Sequence, residues 1–105
     1  MAELVVNGVS FELDEDGFLE DASEWNEDVA RALAPNEDVP ELTEEHWRII
    51  NYLRDYYDQY GVAPMVRKLL KDTGYDQKTI YTLWPTGPGK GACKVAGLPK
   101  PTGCV

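Results

Sequence analysis

Two cysteines, Cys93 and Cys104, carry the conspicuous chemistry of this chain, and both lie in the last twenty-one of its 105 residues. Ten residues separate them and a single one follows the second. A thiolate attacks sulfur through a mixed intermediate. Two thiols on one segment can therefore take up sulfur at one position and resolve the product at the other. The segment, PTGPGKGACKVAGLPKPTGCV, holds five of the nine glycines, four of the seven prolines, three lysines and no side-chain carboxylate. Gly costs backbone entropy and Pro removes a donor, so this composition predicts an irregular arm over 85–105 without regular helix or strand. Fully extended, the arm from Cys93 to Val105 spans roughly 40 Å. Lys90 and Lys94 flank Cys93, and Lys100 stands shortly before Cys104. With Arg67 of the folded body, these cations are the expected sources of modest thiol activation and of contacts to a partner. Gly- and Pro-rich spacing lets the chain fold back at modest loop-closure cost, so the two sulfurs can meet. A plain stabilising disulfide is the bland alternative, but pinning a tail to its own base would stabilise little of the core.

Other chemistries fit the residues less well. GPGKGAC is not a phosphate loop, because Trp84 stands where the first glycine belongs and Gly91 follows Lys90 in place of Ser or Thr. A dinucleotide fingerprint fails at Lys94. Two distant cysteines and a remote His46 make a poor zinc set, so no metal site is expected. His46 reads as a core or boundary residue. The charge is divided: residues 1–45 carry fifteen acidic side chains against one arginine, whereas 46–105 carry nine basic against four acidic. The acidic half argues against wrapping a polyanion, while the basic half can steer an anionic partner toward the arm.

The elements that must position the thiols follow from local pattern. Asn7-Gly8 between two apolar runs over 3–13 predicts a β-hairpin, and Phe18 and Leu19 anchor the chain after a turn at 14–17. Ser23 is the expected cap of a helix running to Ala34, with Trp25, Val29 and Leu33 on its core face; Pro35 stops it and PNEDVPEL is an acidic linker. Thr43 caps a central helix to Tyr60, whose buried face runs from His46 through Ile49, Ile50, Leu53, Tyr56 and Tyr57 to Tyr60, and Gly61 ends it. Pro64 suits the first turn of a third helix burying Met65, Val66, Leu69 and Leu70, and Gly74 closes it. Asp76 caps a fourth that buries Ile80, Leu83 and Trp84. The last two form a helix-turn-helix-like pair, for which a DNA-binding redox regulator is the rival reading, though the exposed face of 77–82 offers few base-reading groups. The expected fold class is mainly α with α+β character: a helical domain over 1–84 with an N-terminal β-hairpin, and an irregular arm over 85–105. No leader or membrane-spanning run is visible, and a cytoplasmic setting, where thiols stay reduced, is expected.

GPGKGACKVAGLPKPTGCV resembles the C-terminal arm of the DsrC family, and the likeness extends through DEDGFL after the hairpin and YGVAPMVRKLL before the arm. The paired cysteines separate the chain from the related TusE-type sulfur relays of tRNA thiolation, which generally keep the penultimate one. The resemblance implies a sulfur carrier acting as co-substrate of dissimilatory sulfite reductase and not catalytic alone. Cys104 would enter the α and β subunits of the reductase, and Cys93 would join it in a trisulfide holding sulfite-derived sulfur. A membrane-bound reductase complex would then reduce that product; other sulfurtransferases are further candidate partners. No cofactor would belong to the chain itself, since sirohaem and iron–sulfur clusters belong to the partner.

Overall fold

The computed structural model describes residues 2–87 and 91–98. Cys104, Lys90 and Lys100, together with the sequence expectations placed on them, lie outside the described residues. Strands β1 (Ala2–Val6) and β2 (Val9–Leu13) pair antiparallel in a register that sets Val6 opposite Val9. Asn7 and Gly8, at φ of 52° and 81°, make the tight turn that the Asn-Gly pair predicts. Asp14 then accepts hydrogen bonds from the amides of Asp16 and Phe18, both at 2.9 Å. This folds the chain back, buries Phe18 and Leu19, and leaves Leu19 bridged to Leu13.

Helix α1 covers Glu27–Leu33, three residues shorter at its start than the pattern suggests. Asn26 is the cap, its side chain accepting from the Val29 amide at 2.9 Å; Ser23 lies instead in a 3-10 turn over Ala22–Glu24 that Asp21 caps. Ser and Asn are both good caps, and here the Asn is used. Trp25 is therefore extended, at φ −65° and ψ 142°, rather than part of the core face of α1. Pro35 does not open a plain linker either. Ala34–Glu37 form a second 3-10 turn, and both Glu37 and Val39 are buried.

Helix α2 (Glu44–Tyr60) starts at Thr43 and stops at the left-handed Gly61, as its sequence signals require. Its buried face runs through His46, Ile49, Ile50 and Leu53; the tyrosines that continue the stripe lie at its margin, and Tyr60 is exposed. Helix α3 (Val66–Thr73) begins two residues beyond Pro64 and buries Leu69 alone, with Met65 exposed. After the left-handed Gly74, Asp76 caps helix α4 (Gln77–Leu83), accepting from the Thr79 amide at 2.8 Å. Ile80 and Trp84 are fully buried. No helix of the described residues is long and apolar enough to cross a membrane.

His46 joins the start of α2 to the end of α4. Its Nδ1 lies 3.1 Å from the Thr43 amide and 2.8 Å from the Thr43 hydroxyl, and its Nε2 lies 2.7 Å from the Leu83 carbonyl oxygen. An amide on one side and a carbonyl on the other fix the tautomer: Nδ1 accepts and Nε2 carries the proton. The ring meets Trp84 edge-on, with centroids 5.0 Å apart. The reading of His46 as a core histidine agrees with this position. His46→Ala removes a capping partner, a donor to Leu83 and the packing against Trp84. Urea denaturation is expected to show a loss of about 2–4 kcal/mol.

Candidate functional site

Beyond Trp84 the chain departs from the expected irregular arm. The Gly87 amide turns back onto the Trp84 carbonyl at 2.8 Å, and Gly87 itself accepts from the amides of Gly91 (2.9 Å) and Ala92 (3.3 Å). A wide turn of this kind leads into a short helix, α5, over Cys93–Val95. Ala92, Cys93, Val95, Ala96 and Leu98 are all buried, and α5 lies against α1 and α2. The root of the arm is thus part of the core. Gly and Pro disfavour helix on average, but the run Ala92–Ala96 contains neither.

The run Cys93-Lys94-Val95-Ala96-Gly97-Leu98 is a helix end of recognisable design. The Leu98 amide donates to the Cys93 carbonyl at 3.1 Å and the Gly97 amide to the Lys94 carbonyl at 3.0 Å. Gly97 sits in the left-handed region at φ 75°. These are the paired bonds of a Schellman ending, with an apolar residue following the glycine. They occupy the carbonyls of Cys93 and Lys94; those of Val95 and Ala96 are met by side chains from elsewhere. Trp25 Nε1 donates to the Val95 carbonyl at 2.9 Å, and Arg54, from α2, donates to the Ala96 carbonyl at 2.7 Å. The Arg54 guanidinium also stacks on the Trp25 ring, 4.0 Å from its centroid. Partial burial holds the Arg54 pKa below its ordinary value.

On the other side, Lys94 does not serve Cys93 as an activating cation. Its ammonium pairs with Glu37 Oε2 at 3.1 Å and lies 5.2 Å from the centre of the Phe18 ring. The second oxygen of Glu37 accepts from the Thr86 hydroxyl at 2.8 Å. One buried carboxylate thereby ties the residues before the turn to those after it. Arg67 is exposed on α3, and no described hydrogen bond or ion pair joins it to residues 91–98. The arginine that reaches this segment is Arg54.

Cys93 is a free thiol, 1 % exposed. Burial pushes its pKa up to about 12, opposite to the lowering expected from flanking lysines. An apolar shell penalises the thiolate, and the Lys94 ammonium is paired with Glu37. A buried thiol of this kind is protected, and slow as a nucleophile until it meets water or a base.

Two expectations follow. Alanine at Gly97 would hold a left-handed conformation that costs roughly 1–2 kcal/mol, and its Cβ would collide with the Trp25 ring. Gly97→Ala should lower the urea midpoint and shift tryptophan fluorescence. The second concerns pH. Folding favours the neutral Cys93 thiol, because its pKa lies near 12 in the folded chain against an ordinary 9.0. Its burial therefore stabilises fully below pH 9 and progressively less as pH rises toward 12. The stability difference between the Cys104→Ser protein and its Cys93→Ala, Cys104→Ser counterpart should accordingly shift against the Cys93-containing chain across that window. A constant difference would mean that Cys93 ionises as freely as in the unfolded chain.

Comparison with known proteins agrees with this geometry over the whole length. The "DsrC like protein" family model matches residues 5–105. The gamma subunit of dissimilatory-type sulfite reductase from Nitratidesulfovibrio vulgaris is 51% identical over 105 residues, covering 100% of both chains. A sulfurtransferase TusE homolog of Haemophilus influenzae is 43% identical, covering 97% of this chain and 99% of its own. Among solved structures, the oxidized gamma subunit of the dissimilatory sulfite reductase from Archaeoglobus fulgidus superposes with a TM-score of 0.89 at 54% identity, covering 99% of this chain and 100% of its own. A chain with this end-to-end match, this hairpin-and-helix fold and a cysteine at the root of its C-terminal segment belongs to the DsrC family.

Proposed function

We propose that the protein is a sulfur carrier and the co-substrate of a dissimilatory sulfite reductase, working in the cytoplasm and holding sulfur between Cys93 and Cys104. The observation that carries this reading is the buried Cys93 thiol, seated at the root of the segment that carries Cys104, in a chain matching a reductase gamma subunit along its full length. Cys104 takes up sulfur inside the α and β subunits, where sirohaem and iron–sulfur clusters supply the electrons; the carrier brings no cofactor. Atoms and electrons balance as follows. Hydrogensulfite and the two thiols, with two electrons and three protons, give the trisulfide and three waters. Four electrons and four protons from a membrane-bound reductase complex then return both thiols and release hydrogen sulfide. Each sulfur–sulfur bond forms by attack of a cysteine thiol on the sulfite-derived sulfur as oxygen leaves in water, and each is cleaved by two of the four electrons.

The TusE likeness supports a second reading, a relay to other sulfurtransferases in which one cysteine suffices. The two differ at Cys93. After incubation with reductase and sulfite, intact-mass analysis of the wild-type chain should show a species heavier by one sulfur and lighter by two hydrogens. Cys93→Ser should still gain sulfur on Cys104, in a form that a mild thiol reductant strips, and should yield no internal trisulfide. An unchanged internal product in that variant removes the carrier mechanism.

A further inference from the structure

The contacts around α5 reach the backbone of the segment that bears Cys93, and they come from two elements far away in sequence. Trp25 binds the Val95 carbonyl and Arg54 the Ala96 carbonyl, at 2.9 and 2.7 Å. Because Arg54 also stacks on the Trp25 ring, the two donors support each other: moving either disturbs the other's bond. Gly97, lacking a side chain, lets the indole lie directly against the backbone. We infer that Trp25 and Arg54 are positioning residues that latch residues 95–97 to the domain, and that Cys93 meets another sulfur when this latch opens.

Three features make it a latch rather than ordinary packing. The donors act on the last carbonyls of a three-residue helix, an element too short to hold itself. Trp25 lies in extended chain before α1, so the two bonds can break without unwinding α1 or α2. Arg54 is a partly desolvated cation that regains hydration on release. Opposing release are the buried Val95 and Leu98 side chains and the Lys94–Glu37 pair, so the open state is the minor one and Cys93 reacts through a local opening. This deepens the sulfur-carrier reading and rests on Cys93 being a working thiol.

The test uses the full chain with Cys104→Ser, in which Cys93 is the remaining thiol, and follows iodoacetamide alkylation by intact mass in native buffer. Arg54→Ala and Trp25→Phe, the latter keeping the ring and deleting the donor, should each speed alkylation on the order of tenfold. Arg54→Lys, which keeps a charged donor but loses the planar stack, should fall between Arg54→Ala and the parent. Ile80→Val, a core trim on α4, should lower the global urea midpoint and leave the alkylation rate unchanged. An Arg54→Ala rate equal to the parent, or a rate that tracks global stability in all four variants, overturns the latch. The sulfur chemistry is read separately: absence of trisulfide in the two-cysteine protein counts against the carrier function, while the alkylation rates decide the latch.

Discussion

A helix that ends in a protein core must find hydrogen-bond donors for its last carbonyls, and most of the C-terminal architecture of this chain answers that requirement. Four carbonyls at the end of α5 need partners. The Schellman turn at Gly97 supplies two from the backbone; Trp25 and Arg54 supply the others. Each donor then constrains something further away. Trp25 must leave α1 to reach Val95, so Asn26 rather than Ser23 caps that helix. Arg54 must stay on the flank of α2 that faces α5, which leaves the tyrosine flank to border α3. The position of one cysteine is thus written into the capping of α1 and the rotation of α2.

What the sequence made legible was local. Asn7-Gly8, Thr43, Gly61, Gly74 and Asp76 each specify a turn or a helix boundary through their own backbone chemistry, and each sits where that chemistry requires. The misreadings share a cause. Ser23 and Asn26 are both acceptable caps, and what separates them is the bond that Trp25 makes to Val95, 70 residues away. Glu37 reads as one more acid in a linker until Lys94 and Thr86 converge on it. Of the site itself, the two cysteines were visible and their surroundings were not. One signal was available: Val-Ala-Gly-Leu after Cys93 and Lys94 has the glycine and following apolar residue of a helix ending. Counting glycines over the whole segment averaged that signal away.

His46 extends the same logic to the other end of the arm. With Nε2 on the Leu83 carbonyl and Nδ1 taking the Thr43 amide, it fixes where α4 stops and therefore where the chain enters the turn at 84–87. Glu37 then holds Thr86 and Lys94 on the two sides of the turn. Entry, turn and helix end are each tied to a different part of the domain, so the root of the arm is placed from three directions by bonds that do not run through the Cys93 sulfur. The Cys93 sulfur adds packing to the core, but because none of these ties depends on it, it can change its bonding while they persist.

That freedom has a chemical consequence for a chain with two thiols. Thiol exchange needs a thiolate at some point, and the burial that raises the Cys93 pKa opposes its formation. The same burial shields the sulfur from dissolved oxidants, which attack exposed thiolates first. In the carrier proposed above, such burial would suit Cys93 to stay a thiol until sulfur is brought to it. Order of reaction then follows from solvation, since the protected thiol becomes competent only once its surroundings have changed.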